Sequence, residues 1–234
     1  MRQKIWSLTQ SLRIYSICIL CNQYHNNKMA VCSHCLELMP LLGPGCRYCA
    51  YPLPDTHFLV CGNCIKQPPS FDRAFIKYTF EEPLRSLLHQ FKYHEGLYLR
   101  SFLSYLIFKS LSNQADMPQC LIPVPMHSQR IKQRGFNQAA VLARSLAKKL
   151  QLPCNLFSCQ KTLNTKPQAG LDEKQRRKNL RSAFITQKLP YQHVAIIDDL
   201  LTTGNTANEL ARTLKKSGVE QVDVWCCARA IEKQ

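Results

Sequence analysis

The sequence has no apolar run approaching the roughly 20 consecutive residues that cross a bilayer as a helix. Its first residues are interrupted by Arg2, Lys4, Gln10 and Arg13. They offer neither the apolar stretch of about 7–15 residues nor the small-residue cleavage site of a secretory signal. Internal repeats and low-complexity tracts are also lacking. These absences lead to the expectation of a soluble, cytoplasmic chain with no membrane insertion. Acidic residues are scarce, 15 against 31 Lys and Arg, giving a formal charge of +16. An excess of that size favours a polyanionic partner or a phosphate-rich ligand, although a solvated basic surface accounts for it equally well. With 234 residues, 45% of them hydrophobic, the chain can bury one substantial core and carry a small appendage.

Cysteine is abundant, and its placement is ordered. Eight of the 13 cysteines form four Cys-x-x-Cys pairs: Cys18/Cys21, Cys32/Cys35, Cys46/Cys49 and Cys61/Cys64. Two intervening residues let both sulfurs of a tight knuckle face one tetrahedral ion, and two knuckles fill its four positions. The pattern therefore predicts two structural Zn²⁺ ions. A redox Cys-x-x-Cys normally occurs once, within alternating strands and helices, which this segment lacks. The nearly equal gaps allow sequential sites or an interleaved cross-brace; sequential sites are favoured because each closes the shorter loop. His25, His34 and His57 are bystanders in this reading. Pro40, Gly43, Pro44 and Gly45 form a turn between the halves. Little apolar material surrounds the knuckles, so the metal supplies most of the folding free energy there. With both metals bound the net charge falls to about +12, because each four-thiolate zinc centre carries −2. Cys120, Cys154, Cys159, Cys226 and Cys227 lie among apolar neighbours and read as small core residues.

After Pro68-Pro69 the composition changes, which places a domain boundary between residues 1–67 and 68–234. Residues 75–80, 120–124, 194–197 and 221–227 read as strands, and 83–93, 97–111, 135–150 and 206–216 as helices. Such alternation predicts an α/β fold, a mainly parallel sheet with flanking helices. Ligands of these sheets bind at the carboxyl ends of the strands.

The most informative segment runs from His193 to Thr206 and reads HVAIIDDLLTTGNT. A buried strand leads into two acids, then a Thr- and Gly-rich loop, then a helix. The loop brings Thr202, Thr203, Gly204, Asn205 and Thr206 to the helix N-terminus, where free amides, hydroxyls and the helix dipole hold a phosphate. Gly204 permits close backbone approach. Asp198 and Asp199 would repel a bare phosphate. That conflict disappears for a ligand that also offers hydroxyls or a divalent cation, as a ribose 5-phosphate does. A receiver-type acid pair is a poor alternative, since only 35 residues follow Asp199 in the chain of 234.

The acid pair followed by Thr-Thr-Gly-x-Thr resembles the phosphoribosyl pyrophosphate (PRPP) signature of type I phosphoribosyltransferases. The resemblance implies that Thr202 to Thr206 hold the 5-phosphate. It puts Asp198 and Asp199 on the ribose hydroxyls, directly or through Mg²⁺. Three further segments, with the cysteine head, extend a resemblance to ComF-type competence proteins over nearly the whole chain. Residues 122–130, reading IPVPMHSQR, resemble the pyrophosphate-holding strand and loop and supply Met126, His127 and Arg130. Arg134-Gly-Phe-Asn-Gln138 follows as in that family, and Phe91-Lys-Tyr93 adds Lys92 as a phosphate-contact candidate. Residues 161–179, with Thr165, Gln168, Leu171, Arg176 and Asn179, resemble the family's mobile loop and its flanks. Two positions depart from pattern. Lys161 stands in place of arginine and loses the bidentate fork. Thr202 stands where purine phosphoribosyltransferases usually carry an acidic general base.

Two functions follow. One is a PRPP-binding protein of natural transformation that handles incoming single-stranded DNA, with protein partners in the uptake machinery. In this reading Phe136, Tyr93, His94 and Arg130 are the stacking and cationic groups. The other is a metabolic phosphoribosyltransferase acting on an amine-type or other acceptor. No single catalytic residue is identified.

Overall fold

The computed structural model describes residues 15–55, 57–93, 96–112, 116–162 and 183–231. The chain divides into two compact units between Met39 and Pro40. The sequence expectation instead put both knuckle pairs in one domain ending at residue 67. The second pair shares a unit with the sheet because Cys49 and Ala50 pack into the main core and Leu41 bridges Tyr78.

In the smaller unit, β1 (Ser16–Ile17) pairs antiparallel with β2 (Tyr24–His25). The turn between them uses Asn22 at φ 58°, a left-handed conformation that asparagine tolerates. Helix α1 (Ser33–Glu37) starts where the Cys32 sulfur accepts from the Cys35 amide.

In the larger unit the second knuckle carries the short helix α2 (Gly62–Lys66). Four parallel strands follow, β3 (Arg73–Phe75), β4 (Cys120–Pro123), β7 (His193–Leu201) and β8 (Gln221–Arg229), in the order β3-β8-β7-β4. Strands β7 and β8 are buried nearly end to end, as expected when helices cover both faces. Helix α7 (Asn205–Lys216) packs Ala207, Leu210, Ala211 and Leu214 onto the face formed by Val194, Ile196, Val222 and Val224. Each fully buried leucine of that stripe contributes roughly 1.5–3 kcal/mol. Ala195, Ile197 and Trp225 point to the opposite face by strand alternation. The remaining helices are α3 (Leu84–Tyr93), α4 (Arg100–Ser110, after a 3₁₀ turn at Gly96–Leu99), α5 (Ser128–Arg134) and α6 (Gln138–Leu150). A separate antiparallel ribbon joins β5 (Cys159–Lys161) to β6 (Phe184–Thr186).

Three elements differ from their sequence reading. The strand expected at 75–80 is β3, which leaves the sheet after Phe75 and rejoins it as a single bridge, Thr79↔Arg229. The helix expected at 135–150 starts at Gln138 behind its Asn137 cap, and α5, which had no counterpart in the sequence reading, ends before it where Gly135 adopts φ 87°. Strand β7 runs on to Leu201, four residues beyond its expected end, because it stays paired with β8. Among the described residues no helix is long and apolar enough to cross a membrane.

Candidate functional site

The carboxyl end of β7 carries Asp198 and Asp199 inside the strand, so the two side chains leave on opposite sides of the sheet. Asp199 is buried, and its carboxylate meets the Lys92 ammonium of α3 at 2.8 Å. Asp198 keeps some solvent contact and accepts from the Asp199 amide at 2.9 Å. Its carboxyl is pushed up to about 8, first by its dense surroundings and then by the charge of Asp199. Burial alone would lower the Lys92 ammonium; the charge and hydrogen bond of Asp199 outweigh it, Asp198 adds to them, and the net shift is upward.

Basic groups surround the acids. Lys161, at the end of β5, is held below its ordinary range by burial and then by the charge of Arg130, against an opposing pull from Asp198. Those influences place Arg130 and Asp198 each within electrostatic reach of Lys161. Arg134 donates to Tyr93 Oη at 3.0 Å and to Gln138 Oε1 at 3.1 Å, with its guanidinium 4.8 Å from the Tyr93 ring centre. The β4–α5 connection is pinned beside the acids, since the Val124 amide donates to the Ile197 carbonyl at 2.9 Å. Met126 and His127 lie half-buried on that connection, and His127 Nδ1 accepts from the Gln129 amide to start α5. Asn137 ties the Arg-Gly-Phe-Asn-Gln turn to the same connection through the Val124 carbonyl, 3.0 Å away.

The loop after β7 supplies Thr202, which is exposed, and Thr203, Gly204, Asn205 and Thr206, which are half-buried. Gly204 sits at φ 79° and caps α7 without any side-chain hydrogen bond. The buried Asn205 Nδ2 has no hydrogen-bond partner in the structure. The start of this helix thus presents an unpaired amide donor at its positive end, as an anion site would. Thr165, Gln168, Leu171, Arg176 and Asn179 lie outside the described residues, as does His94.

The cysteines assemble sequentially. Cys18, Cys21, Cys32 and Cys35 form one group and Cys46, Cys49, Cys61 and Cys64 the other, each with its sulfurs within 4.8 Å of one another. The Cys21–Cys32 and Cys49–Cys61 sulfurs are 3.8 and 3.7 Å apart. A tetrahedron with Zn–S bonds of about 2.3 Å has edges of about 3.8 Å. The four-thiolate geometry therefore fits zinc, and neither group includes a histidine. Burial opposes thiolate formation at Cys18 and Cys46, yet backbone amide hydrogen bonds bring them down to about 6 and about 7. Cys120, Cys159, Cys226 and Cys227 are buried as core residues, and Cys154 is half-buried.

One residue escaped the sequence reading. Arg229, the last residue of β8, is buried. Its Nε donates to the Cys49 carbonyl at 3.0 Å and its Nη1 to the Leu201 carbonyl at 3.1 Å, and Nη1 also contacts the Thr202 carbonyl. The only trace in the sequence is an arginine closing a long apolar strand.

A family model described as a double zinc ribbon domain matches residues 15–65. The chain is 37% identical over 224 residues to competence protein F of Haemophilus influenzae, covering 91% of this chain and 96% of that protein. It is 32% identical over 232 residues to DNA utilization protein YhgH of Escherichia coli K12, covering 94% and 100%. Competence protein ComFC of Bacillus subtilis is 25% identical over 226 residues, with 86% and 90% covered. Among solved structures, the glutamine PRPP amidotransferase of B. subtilis aligns with a TM-score of 0.40 at 15% identity, over 59% of this chain and 30% of that one. By its relationship to competence protein F along almost the full length of both, the chain belongs to the ComF family of competence proteins.

Proposed function

We propose that this protein binds PRPP with a divalent cation at the carboxyl edge of its sheet and serves the handling of incoming single-stranded DNA in natural transformation. The observation that carries the reading is the side-by-side placement of an acid pair and a Gly204-capped helix start with a donor unpaired among the described residues, with Lys92 bound to Asp199, Lys161 within electrostatic reach of Asp198, and Arg134 and Arg130 near those two lysines. Thr202 to Thr206 take the 5-phosphate. Asp198 and Asp199 take the ribose hydroxyls directly or through Mg²⁺, a cation that relieves the repulsion between the two carboxylates. Arg130, Arg134, Lys161 and Lys92 face the pyrophosphate, with Met126 and His127 shaping that side. The competence and DNA-utilization names of the relatives support the DNA role. So do the basic excess and the exposed Tyr93 with Arg134 against its face, since aromatic and cationic groups together grip single strands. Cytoplasmic residence fits cysteines held reduced as zinc ligands, and partners in the DNA-uptake machinery belong to the same reading.

A second reading is phosphoribosyl transfer. Thr202 in place of an acid removes the usual base for a nucleobase acceptor, which favours an amine nucleophile. Mg²⁺ would then supply charge neutralisation for departing pyrophosphate. Release of pyrophosphate from PRPP in the presence of an amine panel separates this reading from binding alone. The test of the main proposal is titration calorimetry of the full chain with PRPP and Mg²⁺, beside the double variant D198A/D199A. Heat of binding in the wild type and none in the variant is expected. Equal binding by both proteins, or none by the wild type, removes the reading.

A further inference from the structure

Arg229 connects two sites that have no sequence motif in common. Its guanidinium is buried at 6% exposure. On one side Nε donates to the carbonyl of Cys49, a member of the second four-cysteine group, and the cation lies 5.4 Å from the centre of the Tyr51 ring in the same knuckle. On the other side Nη1 lies against the carbonyls of Leu201 and Thr202, the residues through which β7 enters the phosphate loop, and against the neighbouring Ala230 carbonyl. Its main chain belongs to the same joint: the Arg229 amide donates to the Tyr78 carbonyl, and the Ala230 amide to the Leu201 carbonyl, both at 2.9 Å.

We propose that Arg229 is a positioning residue through which the Cys46/Cys49/Cys61/Cys64 centre fixes the phosphate loop, so that metal at that centre and PRPP at the loop strengthen each other's binding. The inference rests on the PRPP reading above and adds the coupling. A guanidinium is a rigid planar fork with five donors and no acceptor, so it sets the distance between the carbonyls it holds. The knuckle end of the fork depends on metal. Beyond its cysteines, the small cluster there consists of Tyr48, Tyr51, Leu53 and Val60, all only partly buried. Cys49 and Ala50 also reach the main core, but this cluster is too little core to order the rest of the knuckle, Tyr51 included, without the ion. When the knuckle loosens, Arg229 loses the Cys49 carbonyl and the cover of Tyr51, and the guanidinium is free to turn towards water. The Thr202 carbonyl loses its fixed donor with it, while Leu201 keeps the Ala230 amide, and Gly204 follows Thr202 two residues later. One effect has the opposite sign, since a loaded four-thiolate centre is anionic and repels phosphate. That repulsion is screened over the separation, whereas the hydrogen bonds act at contact, so the coupling is positive.

Reciprocity supplies the test, because a ligand that gains affinity from the metal must return the same factor to it. Partition of zinc between the wild-type chain and a competing colorimetric chelator is measured at equilibrium with and without saturating PRPP and Mg²⁺. One of the two zinc equivalents is expected to be held about tenfold more tightly when PRPP is bound, a factor within the usual range of coupling. In Arg229→Met that protection disappears and PRPP affinity falls about tenfold, while two zinc equivalents are retained. Arg229→Lys restores only part of the affinity, because a point charge cannot fork. Wild-type protein that binds PRPP but shows no protection of zinc overturns the coupling and leaves the binding reading intact. An absence of PRPP binding by the wild type removes the binding reading first and the coupling with it. The wild-type partition measurement decides the matter even if Arg229→Met does not fold.

Discussion

Replacing Lys92 by methionine isolates the electrostatic core of the site. The ammonium and the Asp199 carboxylate are 2.8 Å apart, with side-chain exposures of 22% and 9%. At that separation and an effective dielectric of about 20, their attraction is about 6 kcal/mol. Burying the two ions opposes this by several kcal/mol each, so the intact pair adds little net stability. Removing only the cation is different. Methionine keeps the volume and the apolar stem of Lys92, yet leaves a buried carboxylate uncompensated beside a second one, at a cost of about 3–5 kcal/mol. In a chain of this size that lowers the thermal midpoint by about 10 °C. The deficit is largest at pH 8, where Asp198 has begun to lose its proton and repels the uncompensated carboxylate, and shrinks as the pH falls and Asp198 is protonated. K92M/D199N, which deletes both charges, is expected within about 1 kcal/mol of wild type, giving a coupling of at least about 2 kcal/mol in the double-mutant cycle. The assay is thermal melting of wild type, both single variants and the double variant at pH 5.5 and 8. A K92M midpoint within 2–3 °C of wild type at pH 8, or the same loss from K92M in the D199N background, refutes the reasoning.

Asp198 predicts a pH dependence of its own. The ordinary carboxyl value of 3.8 is raised to about 8 in the folded chain, so between those values the folded state keeps a proton that the unfolded state releases. Its contribution to stability is therefore greatest below pH 4, declines as the pH rises to about 8, and is level above. Thermal midpoints measured from pH 5 to 9 are expected to flatten in D198N, and an identical slope in wild type and D198N contradicts the assignment. Gly204→Ala tests the loop: the added Cβ meets nothing nearer than 3.9 Å, so the penalty is the left-handed backbone at φ 79°, about 1–2 kcal/mol. PRPP affinity should drop at least tenfold, because relief of that strain moves the helix start; unchanged affinity in calorimetry contradicts a loop-held phosphate.

Much of this site was legible because its determinants are local. A Cys-x-x-Cys knuckle is a contact between residues three apart, and four of them in series left only the pairing open, which the structure resolves as sequential. The acid pair and Thr-Thr-Gly turn are likewise a single strand-to-helix junction. What escaped depends on residues far apart in the chain. Leu200 and Leu201 read as loop because the acids interrupt the apolar run, yet pairing with Ala228 and Arg229 keeps them in the sheet. Helix α5 has no buried residue, so hydrophobic periodicity offered nothing to read; the His127 cap and the positive-φ Gly135 define it. Ala50, Cys49 and Leu42 pack against the main core, a contact that no local pattern encodes. Arg229 was invisible for the same reason. Its partners Cys49 and Leu201 are 180 and 28 residues away.

The arrangement also answers the difficulty raised by two carboxylates beside a phosphate. Lys92 neutralises Asp199, and Asp198, raised to about 8, keeps its proton over much of the range below that pH. The acids therefore present little net negative charge to an approaching phosphate, while Arg130, Arg134 and Lys161 still attract it. In the proposed PRPP complex a divalent cation would change the balance, because it would offer Asp198 a positive partner and favour loss of its proton. The carboxylate pair would thus acquire its full charge only with that cation present. An ammonium held against Asp199 suits that sequence better than a second metal-binding carboxylate would, since it suppresses repulsion before the ligand arrives without closing the cation's access to Asp198, the more exposed of the two acids.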